Sequence, residues 1–105
     1  MNYLRLKKQS DFQKLFGRGK RAFSPSLTLV YFPAKELKMG VSVGKRHGKS
    51  VQRNRIKRLV REAFRLSREE IKGTYHIVIL PKVRDHYAFQ EMKTDLLSMI
   101  QKAKL

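Results

Sequence analysis

The sequence contains no cysteine, and only eight of its 105 residues are acidic. The absence of cysteine excludes disulfides and thiolate metal sites. The aspartates Asp11, Asp85 and Asp95 each stand alone, so no carboxylate cluster suggests the two-metal site of a protein nuclease. The three histidines also show no paired spacing. We therefore predict no active site within this chain and no metal ion bound by the protein alone.

Long hydrophobic runs are also missing. The longest apolar stretches are far too short to span a bilayer, and the N-terminus Met-Asn-Tyr-Leu-Arg-Leu-Lys-Lys lacks the apolar segment of a signal peptide. We expect a cytoplasmic protein that does not associate with membranes and is monomeric when free. Its hydrophobic fraction of 41% is enough for a modest core. We predict one domain over residues 1–105, with residues 1–9 as a basic N-terminal arm.

Positive charge is the abundant feature. Lysine and arginine number 25, which leaves a net charge of +17. Such an excess lowers stability through self-repulsion, and a solubilising surface normally mixes both signs. A polyanionic partner is the favoured explanation, and nucleic acid is the first candidate.

The run from Gln52 to Arg65 predicts an amphipathic helix. Its apolar residues recur at i, i+3, i+4, i+7 and i+8, which forms one buried stripe: Ile56, Leu59, Val60, Ala63 and Phe64. The remaining positions include Arg53, Asn54, Arg55, Lys57, Arg58, Arg61 and Arg65, with no acidic residue before Glu62. Guanidinium groups can hold a phosphate with two hydrogen bonds. Asn54 could contact a sugar or a base edge, or could simply be a residue of the first helical turn.

The loop from Gly44 to Ser50 precedes this helix and adds Lys45, Arg46 and Lys49. We expect its free backbone N–H groups and its side chains to form an anion cradle, although it lacks the nucleotide-binding P-loop pattern. His47 is expected to contact a phosphate or a hydrated metal ion rather than to act as a catalyst. Together the loop and the helix predict one continuous basic strip.

The remaining pattern predicts helices on a mixed sheet, an α+β fold. A short helix opens at Ser10 with a capping box to Gln13 and ends at Gly17 and Gly19. Residues 20–25 form a basic connection. A strand over residues 27–32 has a hairpin partner at 39–43. The long helix ends near 71–73, a central strand covers 75–80, and a final helix covers 86–103. The inward face of this final helix is predicted to consist of Phe89, Met92, Leu96, Met99, Ile100 and Ala103.

Aromatic residues on the short helix allow two interpretations. Phe12 and Phe16 lie one turn apart and can face the same way. Composition favours core packing, and the alternative is a stacking platform for unpaired bases. In the strand over 27–32, Thr28, Val30 and Phe32 share one face and could continue the platform or belong to the core.

The segment from Gly44 to Phe64, and above all Arg-Asn-Arg-Ile-Lys-Arg-Leu over residues 53–59 followed by Arg61, resembles the signature of the bacterial ribonuclease P protein subunit. The resemblance covers essentially the whole chain. It implies a small α+β domain in which a mixed four-stranded sheet packs with three helices, as in a ribosomal protein domain. It also implies a left-handed strand-helix-strand crossover around the long helix, against the usual rule.

This resemblance implies an accessory role in the endonuclease that removes 5′ leaders from precursor tRNA. The partners would be a catalytic RNA, which holds the Mg²⁺ ions, and the leader. The implied contacts of the basic strip are with these RNAs: Lys45, Arg46, Lys49, Arg53, Asn54, Arg55, Lys57, Arg58, Arg61 and Arg65. The implied leader cleft consists of Phe12, Phe16, Thr28 and Val30. Some relatives have an aromatic residue at the position of Val30, so Thr28 and Val30 are expected to supply van der Waals contact only.

Three alternatives remain at the level of sequence. A ribosomal protein would share the size and charge, but the signature helix argues against it. A basic amphipathic helix for anionic membranes or a calmodulin-like partner would need a free apolar face, which the flanking strands require for their core. A protein-only nuclease would cleave RNA with metal alone, which we do not expect.

Overall fold

A computed structural model describes residues 3–105 of the chain. Within them lie five strands, β1 (Leu4–Arg5), β2 (Lys20–Phe23), β3 (Leu27–Pro33), β4 (Lys38–Val41) and β5 (Tyr75–Pro81). The three α-helices are α1 (Gln9–Arg18), α2 (Ser50–Ser67) and α3 (Phe89–Ala103). Short 3-10 turns cover Lys45–His47 and Arg68–Glu70. The predicted α+β class and the three helices are confirmed.

All five strands form one mixed sheet in the order β1-β4-β5-β3-β2. The resemblance implied four strands and the sequence pattern located three of them, so both numbers were too low: β1 also forms in the N-terminal arm and β2 in the expected basic connection. The hairpin partner of β3 is β2, not β4: β5 lies between β3 and β4, antiparallel to the first and parallel to the second. The chain thus crosses from β4 through α2 to its parallel neighbour β5. The handedness of this crossover stays a prediction.

The larger core lies between the sheet and helices α2 and α3. The predicted stripe of α2 is confirmed: Ile56, Val60, Ala63 and Phe64 are buried, and Leu59 is half-buried at its margin. The Phe64 ring meets the edge of Tyr3 from the N-terminal arm at a centroid distance of 4.8 Å. The inward face of α3 is also as predicted, with its buried positions at Met92, Leu96, Met99 and Ile100.

Helix α1 covers the opposite face of the sheet. Leu15 on α1 packs with Leu6, Val30 and Val78, all of them buried. The predicted alternation of β3 is confirmed, because Leu27 and Leu29 belong to the larger core and Val30 belongs to this smaller one. The sheet is consequently covered on both faces, by two helices on one and by a single short helix on the other.

Several helix boundaries differ from the prediction. Helix α1 begins at Gln9, with Lys8 at the cap and no side-chain capping bond, so the capping box from Ser10 was wrong. Gly17 lies within α1, and only Gly19 ends it, where its N–H donates to the carbonyl oxygen of Leu15 at 2.7 Å. Helix α2 stops at Ser67 and gives way to a 3-10 turn. Helix α3 starts at Phe89 rather than at residue 86.

One buried polar contact ties β2 and β3 to α3. The Asp95 carboxylate accepts hydrogen bonds from the Ser26 backbone N–H at 3.0 Å and from its hydroxyl at 2.5 Å. Ser26 is buried in the turn between the two strands. Asp95 therefore has a structural partner, in keeping with its isolated position in the sequence.

Candidate nucleic-acid interface

The seven predicted contact residues of α2, six of them basic and one an asparagine, lie on three sides of the helix that do not face the core. Arg53, Lys57 and Arg61 are spaced four residues apart and are half-buried, so they follow one flank of the helix. Asn54, Arg58 and Arg65 are exposed and point outward. Arg55 lies on the other flank. The prediction that all seven side chains lie outside the core is confirmed, but the sequence pattern did not divide them into these three groups.

The flank that ends at Arg61 lies toward the edge of the sheet formed by β1 and β4. Arg61 lines a pocket of about 260 Å³ together with Phe12 of α1 and with Gly40 and Val41 of β4. Burial lowers the pKa of the Arg61 guanidinium, and the nearby charge of Arg5 lowers it further. The basic helix and the aromatic helix therefore meet at one place on the surface.

Arg65 differs from its neighbours because it has an acidic partner on the same helix. Its Nη2 lies 2.5 Å from Oε1 of Glu62 and its Nε lies 3.2 Å from Oε2. This hydrogen bonding lowers the pKa of Glu62 and raises the pKa of Arg65. Since both side chains are about half exposed, an incoming phosphate would have to compete with Glu62 for this arginine.

The loop before α2 keeps its basic side chains exposed but uses its backbone N–H groups internally. The Gly44 N–H donates to Nδ1 of His47, the Gly48 N–H to the Lys45 carbonyl oxygen, and the Lys49 N–H to Oε1 of Gln52. The prediction of an anion cradle made from free loop amides was wrong for these groups. Lys45, Arg46 and Lys49 remain available through their side chains.

His47 fixes this loop to the sheet. While Nδ1 accepts from Gly44, Nε2 lies 2.7 Å from the carbonyl oxygen of Pro81, so a neutral ring with its proton on Nε2 satisfies both partners. The expectation that His47 contacts a phosphate or a hydrated metal was therefore wrong. Gly48 completes the turn at φ +113°, where a Cβ would also collide with Gln52.

A second pocket, of about 300 Å³, lies on the other flank of α2. Arg46 and Arg55 line it together with Arg84 and His86 from the connection between β5 and α3. Asp85 lines it as well, and Arg84 is paired with Glu91 at 2.6 Å. Positive charge in this pocket is therefore partly balanced by carboxylates.

Helix α1 presents its two phenylalanines differently. Phe12 is half-buried and lies on Gly40 of β4, where a Cβ would stand only 2.7 Å from its ring. Phe16 is 40% exposed. Lys14, on the other flank of the helix, lies 5.4 Å from the centre of the Phe32 ring. Because successive helical residues are rotated by about 100°, Phe16 faces away from Phe32, toward the end of the sheet that holds Thr28.

The two sheet residues predicted for the cleft, Val30 and Thr28, also differ in their exposure. Val30 is completely buried beneath α1, so the prediction that it lines an open cleft was wrong. Thr28 is half-buried and lies beyond the helix. Its cross-strand partners are Phe23 and Leu80, which share its face of the sheet. Phe23 is 67% exposed.

Phe23 is thus an aromatic residue of this face that the sequence did not single out. It was assigned to a connection because Lys20 and Arg21 precede it. The signal that could have found it is the two-residue spacing of Arg21 and Phe23, which puts both side chains on one face of an edge strand, and such a strand needs few apolar residues. Phe16, Phe23, Thr28 and Leu80 are called the open apolar row below.

Among residues 3–105, no group of three or more histidine, aspartate or glutamate side chains is placed to hold a metal ion. Over the same residues, no helix has the length and apolar character needed to cross a membrane. The site instead presents exposed cationic and aromatic side chains.

A cationic helix and exposed aromatic side chains on a small α+β scaffold are typical of proteins that bind single-stranded nucleic acid. The ribonuclease P family model matches residues 1–104, and the chain belongs to this family. It is similar to the ribonuclease P protein component of Clostridium kluyveri, with 38% identity over 100% of this chain and 98% of the relative. The same component of Bacillus velezensis is 38% identical over 96% of this chain and 90% of its own length.

The fold agrees with this assignment. The RNase P protein of Thermotoga maritima superimposes with a TM-score of 0.83 at 26% identity, over 93% of this chain and 96% of that one. Membership of the family implies a role in tRNA 5′ processing as part of a ribonuclease P complex.

Proposed function

We propose that this protein binds the catalytic RNA of ribonuclease P and the 5′ leader of precursor tRNA, and so assists removal of the leader. The observation that carries the proposal is the pocket that Arg61 of the basic helix α2 and Phe12 of α1 line together. A chain that passes from the paired part of a tRNA into its unpaired leader presents phosphates first and unstacked bases next. At this pocket Arg61 would contact such a phosphate and Phe12 such a base.

The cationic contribution comes from α2 and the loop before it. Arg53, Lys57 and Arg61 on one flank, and Asn54 and Arg58 on the outward side, are placed to contact RNA phosphates and sugars. Lys45, Arg46, Lys49 and Arg55 extend the surface around the start of the helix, and Arg65 adds to it in competition with Glu62. Each phosphate contact releases counterions, so binding should weaken steeply with salt.

The leader would run along the open apolar row. Phe16 on α1 and Phe23 on β2 offer exposed ring faces on which unpaired bases can stack, while Thr28 and Leu80 form the floor between them. Base stacking on aromatic side chains tolerates many sequences, because every base has a π-face. Phe12 contributes at the pocket, and Val30 acts only from beneath by supporting α1.

Catalysis belongs, in this proposal, to the RNA. Its phosphates would hold the Mg²⁺ ions, and the protein would favour productive binding of substrate and metal by adding positive charge and by positioning the leader. The protein would work in the cytoplasm, as a monomer before it joins the RNA. A ribosomal type of RNA binding is the alternative, but it gives no reason for the exposed rings of Phe16 and Phe23 on the α1 face of the sheet.

The decisive experiment is cleavage of precursor tRNA at low Mg²⁺ with the protein alone, a bacterial ribonuclease P RNA alone, and both together. Correct 5′ cleavage only with both, or much faster with both, is the expected result. Cleavage by the protein alone would reveal a catalytic site that we have missed. Tight RNA binding without any effect on cleavage would favour the ribosomal alternative.

A further inference from the structure

The N-terminal arm brings an arginine of its own to the pocket beside α2. Strand β1 pairs with β4, and the N–H of Leu6 donates to the carbonyl oxygen of Met39 at 3.0 Å. Leu6 packs beneath α1, whereas Tyr3 packs on Phe64 of α2. Because side chains alternate along a strand, Arg5 points to the same side as Tyr3, toward α2. The arm therefore places Arg5 close to Arg61.

The guanidinium groups of Arg5 and Arg61 thus lie close together. The core packing of the fold does not depend on either group. The positive charge of Arg5 lowers the pKa of Arg61, which burial has already lowered. Both are arginines, and neither can relieve the repulsion by losing its proton near neutral pH. Like charges held together in this way reduce the stability of the free protein and become favourable once an anion lies between them.

The space between them has the form of a binding pocket. It has a volume of about 260 Å³, and Arg5, Lys7 and Arg61 supply three positive charges around it. The apolar wall consists of Phe12, Gly40 and Val41. No aspartate or glutamate is among the described residues that line it. The nearest acid along α2, Glu62, is engaged by Arg65. The second pocket, beside Arg55, lacks this property because Asp85 lines it.

We propose that Arg5, Lys7 and Arg61 form a phosphate-binding pocket between the N-terminal arm and α2, which holds one phosphodiester group of RNA against the Phe12 wall. This inference rests on the proposed function, because it takes RNA as the partner. It assigns a binding role to Arg5 and Lys7, which the sequence placed only in a general basic arm. The phosphate can come from the leader or from the catalytic RNA, and the experiment separates these sources.

The test compares Arg5→Ala with wild type and with Lys102→Ala, which removes one positive charge from an exposed position on α3. Affinity is measured against salt for the protein with the catalytic RNA, and for the assembled holoenzyme with precursor tRNA and with mature tRNA. Loss of one contact should flatten the logarithmic salt dependence by roughly 0.7–0.9. Arg5→Lys should restore much of the slope, because it keeps the charge but not the planar fork.

The RNA with which the salt slope changes identifies the source of the phosphate. A change with the catalytic RNA assigns the pocket to that RNA, and a change with precursor but not mature tRNA assigns it to the leader. If Arg5→Ala and Lys102→Ala change the salt slope equally, both with the catalytic RNA and with precursor tRNA, the pocket proposal is overturned. If the wild-type holoenzyme cleaves precursor tRNA normally in the same experiment, this negative result rules out the pocket but not the proposed function. Thermal unfolding of each variant confirms that it is folded.

Discussion

Replacing Phe23 by alanine should weaken leader binding while leaving the fold nearly intact. The ring is 67% exposed, so only about a third of its area is removed from water by folding. Full burial of a phenylalanine side chain contributes about 1.5–3 kcal/mol, so truncation should lower the free energy of unfolding by about 0.5–1 kcal/mol. A stacked base contributes about 1–3 kcal/mol, which corresponds to a roughly 5- to 150-fold increase in Kd.

The assay measures the Kd of the assembled holoenzyme for precursor tRNAs with leaders of increasing length, beside mature tRNA. The effect of Phe23→Ala should be absent with mature tRNA and with very short leaders, and should appear once the leader reaches β2. Phe23→Leu keeps an apolar side chain but removes the ring, so it should lose most of the same affinity. Leu66→Ala is the matched control, because Leu66 is 46% exposed and lies on α2, across the sheet from α1.

Two results would refute the reasoning. If Phe23→Ala and Leu66→Ala change the Kd equally at every leader length, then the open apolar row does not bind the leader. If Phe23→Ala lowers the free energy of unfolding by several kcal/mol, then the ring is needed for folding, and its exposure has misled us about its role.

Three further outcomes are expected. Arg58→Ala should flatten the logarithmic salt dependence of RNA binding by roughly 0.7–0.9, and an unchanged slope would place Arg58 outside the interface. Leu15→Ala should lower the free energy of unfolding by about 2–5 kcal/mol in denaturant titrations, since Leu15 is the buried residue of α1 that packs on the sheet; a neutral result would mean that α1 is not held by its core contacts. Burial raises the pKa of Tyr3 above its ordinary value of 10.0, so the stability it contributes is complete below that pH and is lost as pH rises through the raised pKa. Wild type should thus lose more stability above pH 10.0 than Tyr3→Phe, and equal losses would count against this origin.

The elements predicted correctly are those with a strong local pattern. The stripe of α2 and the inward face of α3 repeat over several turns, and β3 and β5 are rich in β-branched and aromatic residues. The missed strands, β1 and β2, lie at the two edges of the sheet. An edge strand pairs on one side only and tolerates Lys20 and Arg21, so its sequence does not differ from that of a basic loop.

The candidate site was only partly predictable for a related reason. Alternation along β3 gave the correct face for Val30 and Thr28, but it could not show that α1 covers one and leaves the other open. That difference depends on where the helix crosses the sheet, which no local pattern records. The neighbourhood of Arg5 and Arg61 is likewise set by the pairing of β1 with β4, residues more than 30 positions apart in the chain.

The open apolar row follows from the dimensions of the fold. A helix has a diameter of about 10–12 Å with its side chains, whereas residues on one face of a strand recur about every 6.6–6.8 Å. A single helix therefore covers about two rows of side chains, here those of Phe32 and Val30, and the row of Thr28 lies beyond its edge. In an isolated protein that uncovered row would reduce solubility, but the net charge of +17 opposes self-association. Under the proposed function, the same charge would also attract the RNA leader that covers the row.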